Sequence, residues 1–224
     1  MISDTHVRDS VQAELDWDTR VDSRQIGVAV KNGVVTLTGH VSSYLERREA
    51  EEAAQAVDGV KAVANDITVD LPLDFKRSDS EVAQTAVDAL NFNVAVPANS
   101  VKVSVSEGWL TLKGELPTWH QKMAAEQALV SLRGVKGITN NITVRPEISL
   151  MRPPISVHDV QKKITEALHR RAQLDATNIR VSAAEGTVTL EGQVDSWRER
   201  NQAETAAWQA PGVSNVIDHL TVRP

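Results

Sequence analysis

The sequence predicts an α+β fold of three tandem α-β-β-α-β units, each a three-stranded mixed sheet packed by two helices. Three observations predict it. The segment Asn32-Gly-Val-Val-Thr-Leu-Thr-Gly39 recurs as Glu107-Gly-Trp-Leu-Thr-Leu-Lys-Gly114 and as Glu185-Gly-Thr-Val-Thr-Leu-Glu-Gly192, at offsets of 75 and 153 residues. Those offsets hold without a gap from residue 3 to residue 69, and 15 of the 67 aligned positions are identical in all three copies. Within each copy the apolar spacing switches between helical and strand periods in one fixed order. The units are 3–69, 78–144 and 156–222, joined by proline-containing linkers that favour extended connections.

Each element follows from local chemistry. Ser3, Ser78 and Ser156 stand where a helix N-cap would, and Val7, Val11 and Leu15 follow at i, i+4 and i+8 on one helical face. Ile26, Val28 and Val30 alternate with polar or small residues, as in a half-buried strand. Asn32-Gly33 is a type I′ hairpin turn, with Glu-Gly in its place in the other copies. The second strand turns Val35, Leu37, Gly39 and Val41 inward and Val34, Thr36, Thr38 and His40 outward. Ser43/Glu46, Thr118/Gln121 and Ser196/Glu199 read as capping boxes opening the second helix. Ala50, Ala53, Ala54 and Val57 form its small-residue stripe, which allows close approach to a sheet. Gly59 ends that helix as a C′ glycine. The last strand runs through Val60, Val63, Ile67 and Val69. A unit of this size has a marginal core, so each copy is expected to lean on its neighbours.

Composition narrows the chemistry. The chain has 224 residues, a net charge of −6 and no cysteine. Disulfides, thiolate metal sites and cysteine nucleophiles are excluded. An acidic balance and few aromatics argue against a nucleic-acid partner. No apolar run reaches the ~18 residues of a membrane span, and the start has no apolar signal core. The expected location is cytoplasmic as the sequence stands, or periplasmic had a leader been removed. There is no serine-elbow, phosphate-loop or zincin motif. The six histidines recur at no equivalent position and lack zinc spacing. The expectation is therefore no enzyme, no cofactor and no metal.

The Gly-x-[Val/Leu]-x-Leu-x-Gly hairpin, the Ser/Thr-aromatic helix start and the Gly-Val before the last strand resemble the BON domain. This is a bacterial domain of osmotically inducible proteins. The matching glycines are Gly33, Gly39 and Gly59, then Gly108, Gly114 and Gly134, then Gly186, Gly192 and Gly212. The resemblance implies a non-catalytic fold, a role in osmotic or envelope stress, and binding to a phospholipid surface or to another protein. A self-associating scaffold or homo-oligomer built through repeat contacts, including one that handles small solutes, is the competing expectation.

Candidate contact residues come from aromatics and paired bases. Trp109 falls on the outer face of its sheet, where the other copies have Val34 and Thr187. Trp208 sits off the alanine stripe, and Trp17 and Phe92 lie near the end of the first helix. Lys162, Lys163, Arg170 and Arg171 are the paired bases of the third copy. The copies carry −5, −1 and −2, so copy three, then copy two, is the better match for an anionic surface. Packing between repeats or subunits is the competing reading of these tryptophans. Tyr44, Trp119 and Trp197 share one position and are expected to be structural, covering the edge of the core. Arg47/Glu51, Lys122/Glu126 and Arg200/Glu204 read as exposed i, i+4 ion pairs, with a catalytic or anion-binding role, or a contact of the recurring glutamate with the next repeat, as the alternatives.

Overall fold

The computed structural model describes residues 2–146, 157–169 and 178–223. The first unit runs α1 (Asp4–Trp17), β1 (Ile26–Lys31), β2 (Val34–Val41), α2 (Tyr44–Gln55) and β3 (Ala62–Val69). The second runs α3 (Asp79–Phe92), β4 (Val101–Ser106), β5 (Trp109–Leu116), α4 (Trp119–Gln127) and β6 (Gly137–Val144). The third runs α5 (Val157–His169), β7 (Ile179–Ala184), β8 (Thr187–Val194), α6 (Trp197–Trp208) and β9 (Asn215–Val222). Every sheet has its hairpin's second strand in the centre. That strand is antiparallel to the first and parallel to the third.

Both helices of a unit cover one face of its sheet. In the first unit Val7, Val11 and Leu15 of α1 and Ala50, Ala53 and Ala54 of α2 share one core with Val35, Leu37 and Ile67. Leu37, Leu112 and Leu190 are fully buried at the same central-strand position. Each such side chain contributes roughly 1.5–3 kcal/mol of burial free energy. The opposite sheet face is left to solvent, with Val34, Thr38 and His40 exposed.

Two backbone devices set the hairpin. Asn32 and Gly33 both have positive φ, at 54° and 79°, as a type I′ turn requires. Gly39 (φ 122°) lets the chain entering β1 cross β2: a Cβ there would lie 1.9 Å from the Gln25 carbonyl oxygen. A clamp unseen in the sequence adds to this. The Asp4 carboxylate accepts the N–H groups of Asn32 (2.7 Å) and Gly33 (2.9 Å), tying the start of α1 to the turn. Asp79 does the same for Glu107 and Gly108, whereas the third copy has Val157 at this position.

Three expectations need correction. Gly59 is not the C′ residue of α2, which is capped at Ala56; it sits at positive φ in the turn that leads on to β3. Ser43 caps α2 by accepting the Glu46 N–H, but the Glu46 carboxylate does not reach back to the Ser43 amide. It is buried, and it accepts the N–H groups of Asp22 and Ser42 (both 2.9 Å). It therefore pins the loop before β1 to the start of α2. In the third unit Glu199 accepts from the Asp195 N–H. A complete capping box forms at α3 instead, between Ser78 and Glu81. The i, i+4 ion pairs are also replaced. Glu51 accepts from the Asn65 amide and Glu126 from the Asn140 amide, each at 3.0 Å, joining the second helix to the third strand. In the third unit Asp218 occupies the asparagine position and takes Arg200 at 2.7 Å. The helix lies close enough to its own strand for the glutamate to find a partner there, which is stronger than an exposed pair along the helix.

Candidate functional site

The N-cap at each second helix places an aromatic at the first helical position, and these three aromatics leave their own units. Tyr44 of the first unit is buried in the core of the second, with Val82, Leu129 and Val130. Trp119 of the second stacks on Trp208 of the third, ring centres 6.3 Å apart and planes 12° from parallel. Trp208 is itself packed against the third unit's core. Trp197 of the third packs against the core of the first. The hand-over thus runs one to two, two to three and three to one. It is a head-to-tail contact that closes after three members within a single chain. Covering the edge of a core was the expectation for these residues, and the core they cover belongs to the next unit.

The first of these contacts is the most polar. Burial, then the Glu126 carboxylate, pushes the Tyr44 phenol above its ordinary range, with Arg48, Arg47 and the Ile138 backbone pulling the other way. Arg48 meets Glu126 across the same junction at 3.6 Å. The linker joins in: Leu71 packs on the first core, and the Phe75 ring lies 5.0 Å below the Arg133 guanidinium.

The remaining candidate residues do not converge on one place. Trp17 and Phe92 end α1 and α3 and are 82% and 87% exposed. Their surroundings differ. Trp17 stands between Asp16 and Asp18, and Asp18 is held ionised by the Arg20 guanidinium 2.6 Å away. Phe92 lies in a stretch, residues 89–101, without any charged side chain, and Val94 beside it is fully exposed. Lys162 and Lys163 are exposed on α5, while Arg170 and Arg171 lie outside the described residues. Trp208 is half-buried in the junction just described, which withdraws it from the exposed surface.

Trp109 lies apart from all of these. It lies on the outer sheet face, as alternation predicts, and is 45% exposed. Its Nε1–H donates to the Thr139 hydroxyl at 2.8 Å. Its six-membered ring lies flat over Gly137, where a Cβ would come within 2.4 Å of the ring carbons. The indole borders an open cleft of about 740 Å³ between the first and second units. Ser104, Ser106 and Thr111 line it from the second unit's sheet. Arg47 and the end of β3, through Asp70, line it from the first. Glu107 and Lys136 complete the rim, and Asp70 is held by His40 at 2.7 Å. Among the described residues no group of three or more His, Asp or Glu side chains is placed to hold a metal ion. No described helix is long and apolar enough to cross a membrane.

Residues 3–70, 78–146 and 156–224 each match the BON domain. Osmotically-inducible protein Y of Escherichia coli (strain K12) is 27% identical over 151 residues, covering 64% of this chain and 74% of that protein. An uncharacterized protein in the gshII 5′ region of Anaplasma centrale is 25% identical over 126 residues, covering 56% and 83%. Among solved structures, CdsD, a structural protein of the type III secretion system of Chlamydia trachomatis, aligns at 18% identity. Its TM-score is 0.26, with 96% of this chain and 91% of that one covered.

Proposed function

The chain belongs to the BON-domain family, and from that premise we propose that it is a non-enzymatic binding protein of the osmotic-stress type that adheres to phospholipid surfaces. One observation carries this reading: Phe92 and Val94 stand free at the end of α3, in a stretch without charge. A folded domain gains nothing from exposing these two side chains, whereas an apolar tip can enter the headgroup boundary of a bilayer. The equivalent tip of the first unit carries Trp17 among carboxylates and is repelled by an anionic lipid surface. The second unit therefore makes the contact, with the α5 lysines as a second point of attraction. The osmotic-stress role rests on the similarity to osmotically-inducible protein Y.

The test is co-sedimentation of the full chain with vesicles of mixed zwitterionic and anionic lipid. Binding by the parent chain, reduced several-fold by Phe92→Ser with Val94→Ser, supports the reading. No pelleting at low salt, or pelleting indifferent to both substitutions, refutes it. The competing scaffold reading draws on repeat-to-repeat contacts, and these are closed within one chain, so light scattering should show a monomer.

A further inference from the structure

In a triplicated fold, a feature that one copy has and the others lack is not needed by the architecture. The seated indole of the second unit is such a feature. Trp109 replaces Val34 and Thr187 of the other copies, Gly137 replaces Ala62 and Asn215, and Thr139 replaces Ala64 and Ile217. The three departures act together. Gly137 clears the space over which the ring lies flat, Thr139 holds the indole N–H, and Trp109 supplies the ring. A side chain at 137 would collide with the ring, and without Thr139 the indole N–H would lose its partner, so chance drift at a solvent-facing position is a poor account of the three together. The other ring face is left to the cleft between the first and second units.

We infer that this cleft is a saccharide-binding site with Trp109 as its stacking platform. A pyranose ring has an apolar face of C–H groups that stacks on an indole, and hydroxyls around its rim. The cleft offers the matching rim. Ser104, Ser106 and Thr111 supply hydroxyls, Glu107 and Asp70 accept, and Arg47 and Lys136 donate. Its volume of about 740 Å³ lies in the range of small-molecule sites, and its openness suits one or two units of a longer chain. A quaternary ammonium ligand would also stack on tryptophan. It would want a cage of several rings without cations, and here there is one ring, with Arg47 and Lys136 beside it. A neutral polyol is indifferent to the mixed charge and hydrogen-bonds to both signs. The inference does not rest on adhesion through Phe92, which belongs to a different surface.

The experiment follows the indole N–H resonances of the full chain during titration with maltotriose, cellotriose and chitotriose. The Trp109 signal is identified by its absence in Trp109→Thr, a substitution that restores the residue of the third copy. Saturable movement of that signal with one of the sugars is expected, and the affinity, read for both chains by isothermal titration calorimetry, should fall about tenfold or more in Trp109→Thr, since an aromatic stack accounts for roughly one decade of binding. Should Trp109→Thr misfold, Glu107→Asn, which copies the first unit's turn, takes its place, and a several-fold loss is expected. No movement of the Trp109 signal with any of the three sugars overturns the inference. So does binding of unchanged affinity in the folded variant.

Discussion

Replacing Tyr44 with alanine tests the closed hand-over between units. The side chain is only 9% exposed, and what it touches belongs to the second unit's core. A buried aromatic removes about 150–200 Å² from water, or roughly 4–5 kcal/mol at ~25 cal/mol per Å². Alanine keeps part of that, and the freed side-chain rotation recovers a little more. A loss of about 3 kcal/mol remains, at the lower end of aromatic-to-alanine changes in cores. Part of this loss should appear as lost cooperativity, because the junction couples two units. Urea unfolding followed by far-ultraviolet circular dichroism and by tryptophan fluorescence is the assay. The midpoint should fall, and the slope should shallow as the two probes separate. Leu45→Ala, one residue on and 37% exposed, should cost under ~1 kcal/mol and keep a single transition. A Tyr44→Ala loss below about 1 kcal/mol with an unchanged slope would show that the junction is a contact without energetic consequence.

Other predictions rest on single groups. Tyr44 is the sole tyrosine, so tyrosinate absorbance reports it alone. Its phenol is held above the ordinary value of about 10. As pH rises past that value the unfolded chain loses this proton while the folded chain keeps it, so stability should fall until the folded value is passed, and Tyr44→Phe should remove that slope. The Ser78 amide and hydroxyl hold Glu81 below the usual carboxylate range. The stabilisation is complete above the unfolded value of about 4.3 and disappears as pH falls through the lower folded value, so Glu81→Gln should flatten acid unfolding in that window. Gly39→Ala forces a Cβ onto the Gln25 carbonyl at positive φ and should cost about 3 kcal/mol or more in urea unfolding. A variant of parent stability would mean that β1 can shift freely.

The candidate site was only partly legible. That Trp109 faces outward follows from the two-residue period of a strand, because the hairpin turn fixes the register on both sides. The partners that make it a platform, Gly137 and Thr139, sit on the parallel neighbour β6. The sequence held a signal for them: both depart from the other copies where Trp109 does. Asp4 and Asp79 also recur in two copies, and Asn65, Asn140 and Asp218 recur as polar residues inside an apolar strand. Those recurrences mark the hairpin clamp and the helix-to-strand tie, and neither can be drawn from helix periodicity alone.

The sequence by itself determined the repeat, the order of elements, the turn type and the inward face of the central strands. These depend on residues near one another in the chain, where period, turn chemistry and capping act directly. Only the tertiary structure decided which core each helix-start aromatic enters, which glutamates meet a strand instead of a lysine or arginine, and that a cleft opens beside Trp109. Those outcomes depend on how three rigid units settle against one another. That placement is set by shape and burial summed over whole surfaces, and no local pattern of residues encodes it.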